Sequence, residues 1–270
     1  MTKAELSRNI YAKKSCLAIG LDVDVERIPR HLTEQYEDPV FEFNKQIIDR
    51  THDLCVCYKL NIAFYESRGL AGWTSLARTL EYIPRDIFTI ADAKRGDIGN
   101  TSRMYAKTFF ELHDFDSITA SPYMGVDSIR PFLDFPEKWV ILLALTSNEG
   151  SEDFQYHTDA RGEKLYEKVI RVSQTWGDEQ RMMYVVGATH PRQLAEIRQS
   201  IPGHFLLIPG VGAQGGSVQE VMDAAYVPGD CGLLINSSRG VIYAGDGEDF
   251  ADKARKSARI LQEQMAPYLV

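Results

Sequence analysis

Cysteine is scarce: four residues, at positions 16, 55, 57 and 231, all within apolar runs and none in a CxxC pair or a Cys/His cluster. That spacing excludes a disulfide framework and a zinc knuckle, and it reads as buried, reduced thiols. The six histidines, at 31, 52, 113, 157, 190 and 204, are scattered without metal-ligand spacing, so structural or surface roles are expected of them. Long hydrophobic runs are missing too. No segment approaches the roughly 18 apolar residues that span a bilayer, and residues 1–10 are charged where a signal peptide would be apolar. A soluble, cytoplasmic protein without membrane contact is expected. Basic residues are outnumbered, 30 Lys and Arg against 38 Asp and Glu, and the formal charge of −8 disfavours nonspecific nucleic-acid binding. No Pro/Gly/Ser-rich linker or low-complexity tract divides the chain, so residues 1–270 are read as one domain.

What is present is alternation. Short apolar runs at 16–21, 54–60, 86–92, 115–121, 138–145, 182–188, 204–209 and 231–236 are separated by segments of helical pattern at about 40–52, 62–80, 98–112, 125–134, 163–176, 191–199, 215–226 and 249–265. Runs such as Trp139 to Leu145 are continuously apolar, as in parallel strands covered on both faces. Eight such units favour a closed (β/α)8 TIM barrel over an open doubly wound sheet. Residues 2–14 predict an extra N-terminal helix across the bottom of the barrel. The connections 22–38 and 146–162 are long and polar, and they fall at the C-terminal strand ends, where barrel active sites are built.

Polar residues collect at those ends. Asp92, Lys94 and Asp97 lie within residues 90–101, and strand alternation predicts that Asp92 and Lys94 project together with Asp97 one short turn on. Asp22 follows the first run, Lys59 and Asn61 close the second, and Thr146 and Ser147 follow the fifth. A charge cluster at a strand end is often only a solvated surface, but carboxylates flanking an ammonium at the mouth of a buried strand hold a proton donor in a fixed field. After the seventh and eighth runs come two turns, Pro209–Gly216 with Gln214, and Asn236–Gly240 with Ser238 and Arg239. Each alone is also a plain βα connection. As a pair at strands seven and eight, they occupy the common phosphate position of barrel enzymes.

Residues 92–98 (DAKRGDI), 58–61 (YKLN) and 209–216 (PGVGAQGG) together resemble the orotidine 5'-phosphate decarboxylase family, and SPYMG at 121–125 with the long rim connections resembles its longer branch. The resemblance implies decarboxylation of orotidine 5'-monophosphate to uridine 5'-monophosphate, with no metal or organic cofactor. It implies a charge network of Lys59, Asp92, Lys94 and Asp97, in which Lys94 protonates C6 and Asp92 sits against the substrate carboxylate. By the same resemblance Asp97, Ile98 and Thr101 reach into the partner's site of a homodimer. Asp22, Lys59 and Thr101 hold ribose hydroxyls, with Asn61 among the substrate-binding residues. Ser147 contacts the pyrimidine edge, with the adjacent Thr146 as its alternative, and Gln214, Ser238 and Arg239 grip the phosphate. Asn236-Ser-Ser-Arg stands where other members often carry Val-Gly-Arg.

Two other functions compete. A metal-dependent sugar-phosphate lyase or decarboxylase of the same barrel group shares DxKxxD but resembles proteins with a magnesium-binding glutamate where this chain has Lys59, and a lysine repels a divalent cation. A noncatalytic sensor of phosphorylated ligands would keep the two glycine turns but has no need of a buried charge network.

Overall fold

The structure is a computed structural model that describes residues 1–187, 191–211 and 216–270. Eight strands, β1 (Leu17–Gly20), β2 (Cys57–Asn61), β3 (Phe88–Arg95), β4 (Ser117–Ala120), β5 (Trp139–Leu145), β6 (Met182–Val186), β7 (Phe205–Ile208) and β8 (Leu233–Ser237), form a closed barrel in sequence order. All neighbours are parallel, and closure comes from the pairing of Leu17, Ala18 and Ile19 with Ile235, Asn236 and Ser237. The strands are buried almost throughout, which is why they read as continuous apolar runs: one face fills the barrel and the other packs under helices.

The expected N-terminal helix spans Lys3–Lys13 and is held by a capping box between Thr2 and Glu5. Leu6 and Ile10 are buried, Lys3 reaches the Gly203 carbonyl and Asp230, and Lys13 reaches the His52 and Cys55 carbonyls. Those partners precede β7, β8 and β2, so the helix closes the N-terminal end of the barrel.

Two helical segments depart from the expected pattern. The 62–80 stretch is two helices, Ile62–Glu66 and Gly69–Tyr82, because the chain turns at Gly69 with φ +60° and Gly72 crosses the Tyr65 carbonyl where a Cβ would lie 1.8 Å from the oxygen. The 98–112 stretch is an α-helix, Gly99–Lys107, that widens into a π-turn at Thr108–Leu112. The long connections carry structure of their own: a 3₁₀ turn at Val25–Arg27 and a helix at Arg30–Gln35 in the first, and a 3₁₀ turn at Glu149–Asp153 in the second.

β3 matters most for the site. Its register against β4 runs Ala91↔Ile118 and then Arg95↔Ala120, so residues 92–94 form a bulge. Within it Lys94 takes a left-handed backbone, φ 47°, which is uncommon for a residue with a side chain.

Candidate active site

At the C-terminal end of the barrel a cleft of about 480 Å³ is lined by Asp22, Lys59, Asn61 and Asp92 on one side and by Pro209, Gly210, Asn236, Ser238 and Arg239 on the other. Its size suits a small nucleotide-like ligand. A second cavity of about 510 Å³ lies at the opposite end, beside Met1, Asp116 and Lys138, away from the face where barrel enzymes do chemistry.

Four of the expected charges form one chain of contacts. Lys59 Nζ lies 3.3 Å from Asp22 Oδ1 and 3.1 Å from Asp92 Oδ2, while Lys94 Nζ lies 2.7 Å from Asp92 Oδ1. The Lys59 side chain is only 6% exposed and that of Lys94 is 52% exposed, so the first lysine is locked in the barrel mouth and the second can meet a ligand. Burial pushes the Asp92 carboxyl up, but the two ammonium groups more than reverse this and hold it at about 2. Burial likewise works against the Lys59 ammonium, and Asp22 and Asp92 overcome it and raise the group above its ordinary value. Asp92 and Lys59 therefore both stay charged at neutral pH.

Asp92 and Lys94 meet within the bulge. Asp97 lies beyond it and does not join the other charges: its carboxylate accepts from the Ile98 N–H at 2.8 Å, and among the described residues it makes no ion pair. Ile98 and Thr101 are exposed beside it, outside the cleft lining.

The remaining candidates divide by what already occupies them. Asn61 caps the helix Ile62–Glu66 through its side-chain oxygen, and its N–H donates to Asp22 Oδ1 at 3.3 Å. Thr146 is committed: its N–H donates to Gln155 Oε1, its hydroxyl accepts from Gln155 Nε2, and the same hydroxyl donates to Asn148 Oδ1. Ser147 is half-buried and packs on Gly187, where an added Cβ would come within 2.9 Å of it. Ser238 sits against Gly20, whose missing Cβ would fall 1.8 Å from Ser238 Oγ and 3.2 Å from Asp22 Oδ2, so the small residue lets β1 and the eighth turn close on each other. Arg239 is exposed and forms no ion pair among the described residues. Gln214 lies outside the described residues.

Several contributors carry no clear sequence signal. Tyr243 accepts a 2.6 Å hydrogen bond from the Asp24 N–H, and the Arg27 guanidinium stacks 3.8 Å from its ring centre, so the first connection and the chain after β8 meet over the cleft. Asn236 is buried and, among the described residues, has no partner on Oδ1, an acceptor among the cleft-lining residues. Thr119 of β4 donates to Asp92 Oδ1 at 3.0 Å and accepts from the Lys94 N–H at 2.9 Å. Among the described residues no group of three or more His, Cys, Asp or Glu is arranged to hold a metal ion.

Known proteins share both sequence and fold. The orotidine 5'-phosphate decarboxylase of Bacteroides fragilis is 56% identical over 272 residues, covering 100% of this chain and 98% of its own. The solved OMP decarboxylase of Leishmania donovani is 36% identical with a TM-score of 0.80, covering 97% of this chain and 99% of that one. The UMP synthase of the same organism is 37% identical with a TM-score of 0.82, covering 96% of this chain but 56% of that longer one. A family model matches residues 15–254, and with these relatives it shows that the chain belongs to the orotidine 5'-phosphate decarboxylase / HUMPS family.

Proposed function

We propose that the protein decarboxylates orotidine 5'-monophosphate to uridine 5'-monophosphate, the last step of making that nucleotide. The observation that carries this reading is the Asp22–Lys59–Asp92–Lys94 chain at the barrel mouth, with a buried lysine at the end of β2. Relatives 56% identical over the whole chain bear the decarboxylase name.

In this mechanism the C6–carboxylate bond breaks, carbon dioxide leaves, and the bonding pair remains on C6 to take a proton from the Lys94 ammonium. Lys94 then recovers a proton from water. Asp92 faces the departing carboxylate and holds the Lys94 ammonium at 2.7 Å; Lys59 holds Asp92 in place, Asp22, Lys59 and Thr101 bind ribose hydroxyls, and Asn61 is among the substrate-binding residues. Ser147, or the adjacent Thr146, meets the pyrimidine edge. Ser238, Arg239 and Gln214 take the phosphate. That contact lies far from C6, so its binding energy is available for closing the rim over the reacting centre.

The metal-dependent alternative is disfavoured by the Lys59 ammonium, which occupies the mouth of β2 and repels a divalent cation. The active species is a cytoplasmic homodimer, with each chain one barrel domain over residues 1–270 and with neither nucleic acid nor membrane as partner. Asp97, Ile98 and Thr101 complete the partner's site. The exposed apolar side chains of Ile98, Met104, Tyr123 and Met124, on and beside that segment, support the pairing.

The test is the ultraviolet absorbance change of orotidine 5'-monophosphate mixed with pure protein, with and without a chelator. Turnover that the chelator leaves intact is expected. No turnover would overturn the reading, and turnover abolished by the chelator would restore the metal-dependent alternative.

A further inference from the structure

Building on the decarboxylase reading, we infer that Thr119 is a positioning residue for the Lys94 proton donor. In a regular parallel ladder each strand N–H finds a carbonyl on its neighbour. The β3 bulge breaks that ladder between Ala91↔Ile118 and Arg95↔Ala120, so Lys94 has no carbonyl opposite its N–H. The Thr119 side chain takes the carbonyl's place, its Oγ1 accepting from the Lys94 N–H at 2.9 Å. Thr119 is 1% exposed, so water does not compete for this bond.

A hydroxyl carries one proton, and here it has one destination. With the Lys94 N–H occupying a lone pair of Oγ1, the proton points to Asp92 Oδ1 at 3.0 Å, the same oxygen that receives the Lys94 ammonium at 2.7 Å. One hydroxyl therefore ties the backbone of Lys94 and the anion that receives its side chain. This closed loop holds Lys94 in its left-handed conformation, φ 47°, a strained state that persists only where its surroundings impose it. Without the hydroxyl the backbone at Lys94 relaxes and the ammonium loses its aim, while the cleft walls that bind nucleotide stay in place. Thr119 touches no substrate; it acts through Lys94 and Asp92.

The experiment compares Thr119→Val, which keeps shape and removes the hydroxyl, with Thr119→Ser, which keeps the hydroxyl; Thr119→Ala stands in if the valine variant does not fold. For Thr119→Val, kcat on orotidine 5'-monophosphate is expected to fall roughly 10- to 100-fold, with KM changed by less than about threefold, and Thr119→Ser to recover kcat to within about threefold of wild type. Amide hydrogen exchange at Lys94, followed by NMR, is expected to quicken at least about tenfold in the valine variant and to stay near wild type in the serine variant. Wild-type kcat in Thr119→Val, equal losses in the valine and serine variants, or unchanged exchange at Lys94 would each overturn the role. A wild-type protein with no turnover would overturn the decarboxylase reading instead, and the exchange rate at Lys94 would still decide whether Thr119 positions it.

Discussion

Asp92 Oδ1 and the Lys94 ammonium lie 2.7 Å apart with opposite exposures, the carboxylate side chain 10% and the lysine 52% accessible. The anion is thus fixed in the barrel wall while its cation is half exposed to solvent. Removing the two lysines that flank Asp92 has different consequences. Lys94→Ala is expected to lower kcat by about 10³-fold or more, the scale of a lost general acid, while uridine 5'-monophosphate still binds in a calorimetric titration. Lys59→Met leaves the buried Asp92 and the partly exposed Asp22 without their shared cation, and it is expected to cost about 3–5 kcal/mol in urea unfolding as well as activity. Nucleotide binding lost in Lys94→Ala, or stability unchanged in Lys59→Met, would contradict this division.

The Asp92 carboxyl, held at about 2 in the folded chain, binds protons more weakly there than in the unfolded chain, where the ordinary value near 3.8 applies. Its contribution to stability is therefore complete above about pH 4 and disappears as the pH falls through about 2. On the order of 2 kcal/mol is lost across that window. The Asp92 carboxyl carbon resonance is expected to stay flat from pH 7 to pH 4 and to titrate only near 2. A midpoint at 4 or above would mean that the two lysines do not control this group.

Asp22, Lys59, Asp92 and Lys94 were legible in the sequence because each interrupts or ends an apolar run, and parallel strands deliver their ends to one face. The closed barrel was legible for the same reason. Thr119 was not: inside Ser117–Ala120 it reads as an ordinary β-branched strand residue, and its function depends on a register shift between β3 and β4 that no local pattern encodes. Arg27 and Tyr243 escaped notice because their contact joins segments more than 200 residues apart. Asp97 was visible as a charge, but the pattern grouped it with Lys94, whereas the bulge and the turn after it lead the chain away.

The other end of the barrel depends on a different buried cation. The Arg198 guanidinium donates to the carbonyls of Ala225, Ile201, Pro202, His204 and Gly232 and, among the described residues, pairs with no carboxylate, and burial lowers its pKa to about 10. It satisfies carbonyls of the chain turns around the starts of β7 and β8. Arg198→Met strands these carbonyls and is expected to cost about 2–4 kcal/mol in urea unfolding, with kcat per folded molecule unchanged because the cleft lies at the opposite end. Arg198→Lys, with a point charge in place of a planar fork, is expected to recover only part of the loss. Full stability in the methionine variant would show that those carbonyls find other partners.

Asp97 supplies the sharpest test of the proposed dimer. Its carboxylate turns to its own Ile98 N–H and away from the Lys59–Asp92–Lys94 chain, and the adjoining Ile98 side chain is 54% exposed. If Asp97 completes the partner's site, Lys94→Ala and Asp97→Ala chains are each inactive alone, because every site in either homodimer lacks one group. In a mixed dimer one site receives Lys94 from the Asp97→Ala chain and Asp97 from the Lys94→Ala chain, and the other site receives neither. Equal mixing with free exchange makes half of the dimers mixed, each with one of its two sites intact, so activity is expected to return to about a quarter of wild type. No recovery after exchange, checked by mass spectrometry of differently tagged chains, would place Asp97 in the site of its own chain and require the turn after the β3 bulge to fold back over Lys94.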